Sequence, residues 1–306
     1  MVGTHDELGG RSVAITGAGS GLGRAYALAA SRAGARVLVA DIDEHAAEKV
    51  VEEIVAGGGD AVALAVDIST VGAGARIVDA ALAAYGRLDG FVANAGLLSP
   101  GPLLAQSAST IRRTLSVNID GTIDTVVAAA RAMRAGGSIV VIVSGSLLGS
   151  ADLALYGTTK AAALGLVYGL AVELEGTGIR ITGLAPRART GLSGQMGTAG
   201  EDKGGAPEGV APAVTYLLSD ASVALHGHVL RFDGERLALF RPPHIARDLA
   251  AERWDAATVA AAIAGPLRDE VDAALPGVAR RAGGGADDVL HVDTALSGTS
   301  SSAEGG

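Results

Sequence analysis

From its first residues to Ala185 the chain alternates short runs of Val, Ile, Ala and Leu with longer amphipathic stretches. A short apolar run reads as a buried strand, and apolar residues returning every three to four positions read as a helix. The pattern predicts strands at Val13–Thr16, Val37–Ala40, Ala61–Val66, Phe91–Ala93, Ser138–Val143 and Ile179–Leu184. Between them it predicts helices at Gly21–Ala33, Glu44–Ala56, Val71–Tyr85, Ile111–Ala135 and Ala154–Glu175. Near-continuous apolar strands imply burial on both faces. Strands alternating with helices imply βαβ units and, with right-handed crossovers, a doubly wound α/β fold around a parallel sheet.

Past Ala185 the pattern loosens. Arg187–Gly209, rich in Gly, Ala and polar residues, reads as a mobile loop. A helix is expected from Pro212 to Leu218 and a strand from His228 to Phe232. The expected organisation is one domain over 1–240, a helical extension over 241–282 carrying Trp254, and a Gly/Ser/Ala-rich tail over 283–306 that is frayed or partner-bound. The chain shows no internal repeat.

Composition narrows the function classes. Apolar residues make up 49% of the chain but aromatics only 3%, which suits a layered α/β core better than a β-sandwich. The net charge of -9 argues against a nucleic-acid partner. The absence of cysteine removes disulfides, thiolate chemistry and Cys–zinc sites. The N-terminal segment lacks the basic and apolar regions of a signal peptide, and no uninterrupted apolar run is long enough to span a bilayer. A soluble, cytoplasmic protein is the expectation. Of the histidines His5, His45, His226, His228, His244 and His291, only His226 and His228 lie close together, with no third ligand nearby, so no metal site is expected.

The chemistry begins at Thr16-Gly17-Ala18-Gly19-Ser20-Gly21-Leu22-Gly23, which links the first strand to the first helix. Glycines let backbone approach a ligand closely, and the helix N-terminus offers free N–H groups to a pyrophosphate. Gly17, Ser20, Gly21, Leu22 and Gly23 are therefore candidate dinucleotide contacts. Asp41 closes the second strand, where a carboxylate accepts the ribose hydroxyls of NAD and repels the extra phosphate of NADP. The flanking Ile42-Asp43-Glu44 adds negative charge and no arginine. Asp41 or Asp43 can equally cap the next helix. Asp67 and Ile68 end the third strand, suited either to the adenine amine and face or, for Asp67, to a helix cap. Asn94-Ala95-Gly96 ends the fourth strand; Asn94 can border a cofactor or tie strand ends together.

Tyr156 and Lys160 stand four residues apart on a predicted helix and so share a face. A phenol of pKa about 10 is a poor base at neutral pH, and a nearby ammonium lowers that value; a shift of about three units takes roughly 4 kcal/mol. Lysine occurs only at Lys49, Lys160 and Lys203 among 24 basic residues, so a lysine at this position is not the chain's habitual choice of cation. Ser144 and Ser146, just after the fifth strand, are both candidates to donate to a substrate carbonyl.

Taken together, the glycine turn at 16–23, Asn94-Ala95-Gly96, Asn118, the serine and Tyr156/Lys160 resemble the short-chain dehydrogenase/reductase family over roughly residues 8–235. The resemblance implies a Rossmann fold and a homodimer or homotetramer. It also implies a Ser144–Tyr156–Lys160 triad joined by Asn118, which in the family holds a water linking the lysine to solvent. Ser144 lies one residue closer to Tyr156 than the family's usual spacing, and Ser146 closer still; strand register favours Ser144. After the sixth strand the family has Pro-Gly and then a Thr on the nicotinamide carboxamide. Here Pro186-Arg187-Ala188-Arg189-Thr190 puts Arg187 in place of glycine and makes Thr190 the candidate contact. The two arginines suit either an anionic substrate group or the solvated surface. The function expected is NAD-dependent interconversion of a secondary alcohol and a ketone on a bulky hydrophobic substrate: a steroid, terpenoid or hydroxyacyl thioester. The alternative is a non-catalytic NAD-sensing protein on the same fold.

Overall fold

The computed structural model describes residues 7–188 and 205–272. Among these, eight strands form one sheet: β1 (Ser12–Thr16), β2 (Arg36–Asp41), β3 (Asp60–Ala65), β4 (Gly90–Ala93), β5 (Gly137–Ile142), β6 (Ile179–Pro186), β7 (Val229–Phe232) and β8 (Leu237–Leu239). Their order across the sheet is β3-β2-β1-β4-β5-β6-β7-β8. The first seven pair in parallel, and β8 folds back antiparallel on β7 with Phe232 opposite Leu237. The chain order reverses between β1 and β4, which places the crevice of a doubly wound sheet at the C-terminal ends of those strands.

Strand periodicity sorts the core into two layers. Val13, Ile15, Val37, Val39, Val140 and Ile142 face a layer built by α1 (Gly21–Arg32), α2 (Glu44–Ala56) and α7 (Pro207–Leu218). Ala14, Leu38, Ala40, Phe91, Ile139 and Val141 face α3 (Ala73–Tyr85), α5 (Thr122–Ala132) and α6 (Ala154–Glu173). Both faces are buried along β1, β4 and the apolar part of β5, as near-continuous apolar strands require. The rule fails at β3, where exposed and covered residues alternate because this strand is the sheet's edge.

Besides β8, which the sequence reading did not predict, three elements differ from it. The expected helix over 111–135 is instead α4 (Ala108–Leu115), a π-turn at Ser116–Gly121 and α5. Helix α7 starts at Pro207, not Pro212: a proline suits the first helical position, and the burial of Val210, Ala211, Val214 and Leu217 holds Pro212 inside the helix. Over 241–272 only α8 (Ala256–Ala264) and α9 (Arg268–Asp272) are helical. By length and its mean hydropathy of 1.2, α6 could cross a membrane, but it packs on the sheet as a core helix and carries Tyr156 and Lys160. The 189–204 segment, with Arg189 and Thr190, and the 273–306 tail lie outside the described residues.

Candidate active site

The glycine turn is built by close backbone approach. Gly17 has φ +63°, and a Cβ on Gly23 would sit 2.0 Å from the Gly17 carbonyl oxygen. Only glycine fits at Gly23, so α1 starts directly beneath the turn. Ser20 is the N-cap of α1 but makes no capping bond, and the first turn carries no acid. The free N–H groups and the dipole of this helix are left to an anion. Thr16 ties β1 to β4: its hydroxyl accepts from the N–H groups of Asn94 and Ala95 at 3.0 and 3.1 Å. The Asn94 amide donates to the carbonyls of Thr16 and Gly17 at 2.9 and 3.0 Å, so it ties the strand ends together while also lining the cleft.

Asp41 faces the turn from the end of β2. Its Oδ2 accepts the Gly19 N–H at 2.8 Å and its Oδ1 accepts the Asp43 N–H at 3.0 Å. The cap of α2 is Asp43, which accepts the Ala46 N–H. Asp41 is thus free of capping and lines the cleft. Asp67 does not cap α3, whose N-cap is Gly72. Its Oδ1 accepts from the hydroxyl and N–H of Ser69 at 2.7 and 2.9 Å, and these bonds hold its carboxyl below the usual carboxylate range.

A cleft of about 690 Å³ runs along the C-terminal ends of the strands, within the roughly 300–1,000 Å³ usual for small-molecule sites. Gly17, Ser20, Gly21, Leu22, Gly23, Asp41, Asp67, Ile68 and Asn94 line one end, and Ser144, Tyr156 and Lys160 the other. The cradle only glycine can form, the unused helix N-terminus and the terminal Asp41 fit a dinucleotide. Sequence reasoning missed Arg113, Leu97, Leu98 and Leu153, which also line the cleft. Arg113 and Val117 are spaced to share a helix face, a signal that was present but had no reference point until the fold placed Arg113 in one cleft lining with Asp67.

At the chemical end, Lys160 is only 6% exposed and donates from Nζ to the Ile142 carbonyl at 2.7 Å. Burial lowers its pKa to about 8. Burial raises the Tyr156 phenol to about 12, with the Ser144 hydroxyl acting in the opposite direction. The expected lowering of the phenol by its lysine is therefore not the outcome. Nζ lies 5.6 Å from the ring centroid and bonds a carbonyl, so desolvation dominates both groups. Ser146 stands behind Ser144, donating to the Ser144 Oγ from both its N–H and its hydroxyl at 3.2 and 3.0 Å; Ser144 lines the cleft and Ser146 is not among the lining residues.

Asn118 sits in the π-turn outside the cleft lining. Its Oδ1 accepts the Leu97 N–H at 2.7 Å, and its Nδ2 donates to the Leu97 carbonyl at 2.8 Å and the Thr159 hydroxyl at 3.0 Å. The amide thereby locks the chain after β4 to the residue next to Lys160. Among the described residues no cluster of metal-ligating side chains occurs. His226 accepts the Ile181 N–H at Nδ1, so its Nε2 donates to the Ala171 carbonyl: a tie between β6 and α6.

Comparison with known proteins agrees with this architecture. The family model described as short chain dehydrogenase matches residues 11–196. The chain is 32% identical over 249 residues to an L-rhamnose 1-dehydrogenase (NAD(P)(+)) of Azotobacter vinelandii, covering 73% of this chain and 95% of that protein. It is 32% identical over 241 residues to the 7alpha-hydroxysteroid dehydrogenase of Escherichia coli K12, covering 74% and 94%. A crystal structure of a short chain dehydrogenase from Mycobacterium avium superposes with a TM-score of 0.76 at 29% identity, over 86% of this chain and 94% of that one. The chain belongs to the short-chain dehydrogenase/reductase family and is an NAD(P)-linked oxidoreductase acting on CH–OH groups.

Proposed function

We propose that the enzyme uses NAD to interconvert a secondary alcohol and a ketone on a bulky hydrophobic substrate such as a steroid, terpenoid or hydroxyacyl thioester. The observation that carries this reading is the single cleft with Asp41 at one end and Ser144, Tyr156 and Lys160 at the other. The preference for NAD rests on the Asp41 carboxylate at the glycine turn. Among the described residues the cations in the cleft lining are Arg113 and Lys160, and neither forms an ion pair with Asp41. The preference for an apolar substrate rests on Leu97, Leu98, Leu153, Pro186 and Ala188 around the chemical end.

The nicotinamide supplies or accepts the hydride. In reduction, the Tyr156 hydroxyl gives its proton to the carbonyl oxygen and Ser144 donates a hydrogen bond to the same oxygen; in oxidation the alcohol proton returns to the Tyr156 oxygen. Lys160 places its ammonium beside that phenol. Both N–H donors of the Asn118 amide are taken by the Leu97 carbonyl and the Thr159 hydroxyl, so it acts as a positioning residue, and a water it holds for the relay would donate to the remaining acceptor site of Oδ1. The presence of both Tyr156 and Lys160 speaks against a purely sensing role.

The test is Tyr156→Phe. Turnover of a panel of hydrophobic alcohols with NAD should fall by about 10²–10⁴-fold while NAD still binds, measured by calorimetry. Turnover that survives the substitution overturns the assignment.

A further inference from the structure

The strands that end at the cleft also begin at a second cavity, of about 360 Å³, on the opposite edge of the sheet. Arg11 precedes β1, Arg87 and Asp89 precede β4, and Arg180 opens β6. Asp220, from the turn after α7, completes the rim. Three guanidiniums thus face two carboxylates in a chain whose net charge is -9.

Two of the three are already paired. Asp89 accepts both arms of Arg87 at 2.7 and 2.6 Å and the Ser12 N–H at 2.9 Å. Asp220 pairs with Arg11 at 2.5 Å. Arg180 instead donates to the Ser222 hydroxyl at 2.6 Å and the Ser219 carbonyl at 2.9 Å, and among the described residues it forms no ion pair. A guanidinium has five N–H donors, and these two neutral acceptors occupy two of them. Partial burial works against its charge; the neighbouring Asp220 opposes that effect and Arg11 adds to it. A half-buried cation beside a second arginine, with donors to spare and open space in front, is the arrangement an oxyanion relieves.

We propose that this cavity binds the phosphate group of a free phosphate or a phosphomonoester, held by Arg180 and Arg11. The site is separate from the cofactor cleft: it lies at the N-terminal ends of β1, β4 and β6, whose C-terminal ends carry Gly17, Asn94 and Pro186. A phosphate here would neutralise Arg180 and leave the Arg87–Asp89 pair intact, while competing with the exposed Asp220 for Arg11.

The experiment is thermal unfolding of the full chain, titrated with inorganic phosphate or glycerol 3-phosphate against sodium chloride at equal ionic strength. Each titration is run with and without saturating NAD, so that any shift arising at the glycine turn disappears when NAD is present. The expected result with NAD present is a saturable rise of about 3 °C at tenfold excess over Kd. It should be lost in Arg180→Gln. In Asp220→Asn, which removes an exposed competing carboxylate, binding should tighten roughly threefold to tenfold. Tighter binding of the ester marks a metabolite site, and equal binding marks a phosphate site; both support the proposal. No saturable rise beyond chloride overturns it, as does an equal rise in Arg180→Gln. Should Arg180→Gln fail to fold, unchanged affinity in Asp220→Asn overturns it.

Discussion

Replacing Asp41 by Asn tests the cofactor reading where it is most exposed to error. Asp41 holds the turn through both oxygens, accepting Gly19 N–H at 2.8 Å and Asp43 N–H at 3.0 Å. Asn keeps one acceptor, so one of these N–H groups loses its partner, at a local cost of about 1 kcal/mol. The electrostatic effect is larger. A ribose phosphate within ~6 Å of the carboxylate is repelled by about 3 kcal/mol per unit charge at an effective dielectric of 20. With a phosphate charge of about -1.5, and salt screening of this partly exposed pair, about 2–3 kcal/mol remains. That corresponds to roughly a 30- to 150-fold preference for NAD over NADP. The assay is the ratio of kcat/KM for the two cofactors with one alcohol, at low and at physiological salt. In wild type the ratio should favour NAD and shrink as salt rises. In Asp41→Asn it should fall by one to two orders of magnitude, mostly through better use of NADP. A ratio that does not move refutes the electrostatic argument, and a loss confined to NAD would show that Asp41 binds ribose without discriminating against phosphate.

Gly23→Ala should abolish cofactor binding and lower Tm, because its Cβ would lie 2.0 Å from the Gly17 carbonyl; calorimetry with NAD and a thermal melt check both. Ser144→Ala should cost about 10²–10³-fold in kcat, whereas Ser146→Ala should cost much less, because Ser146 only donates to Ser144 from behind. Lys160→Met should remove activity yet stabilise the fold at pH 7. Its folded pKa of about 8 lies below the usual value of about 10.4, so the unfolded chain binds more protons between these values and stability rises with pH across that window. The gain at pH 7 should be roughly 1–2 kcal/mol after loss of the bond to the Ile142 carbonyl, and denaturant melts of both proteins at pH 7 and pH 9.5 should show the gap closing at the higher pH.

The parallel core was legible because β1, β2, β4, β5 and β6 are buried on both faces, and such strands leave an unbroken apolar run in the sequence. Leu237-Ala238-Leu239 was not legible as a strand: it is short and exposed, and it exists because β7 offers it an edge. The π-turn at Asn118 was equally hidden. A helical register that slips by one residue leaves the apolar pattern almost intact, and the Asn118 amide bonds found there, to Leu97 and Thr159, join segments far apart in the chain. In the site, residue types and turn chemistry pointed to the glycine turn and Asp41, but could not say which of Asp41 and Asp43 caps α2; Asp43 does, accepting the Ala46 N–H. Spacing also could not show that the turn after β5 sets Ser144 on the cleft and Ser146 behind it, bonded to the Ser144 hydroxyl.

What spacing could not supply was solvent. Four residues on a helix put an ammonium near a phenol, and Coulomb's law then asks for a lowered phenol pKa. Burial reverses the result, leaving Tyr156 at about 12 and Lys160 at about 8. At pH 7 the phenol is therefore a proton donor beside a charged lysine, which is the state ketone reduction requires. Alcohol oxidation requires phenolate, and ionising a phenol of pKa about 12 at pH 7 costs about 7 kcal/mol before any charge enters the cleft. The two directions should then respond to pH with different shapes. Reduction should be flat through neutrality and fall as pH rises through about 8, where Lys160 loses the proton that supports the site. Oxidation should climb about tenfold per pH unit as phenolate accumulates, then bend over near the same point. Initial rates in both directions from pH 6 to pH 10, in wild type and Lys160→Arg, measure this directly. The arginine stays charged throughout and should remove the bend. A bend that persists in Lys160→Arg would assign the titration to another group and break the link between burial of Lys160 and the direction of catalysis.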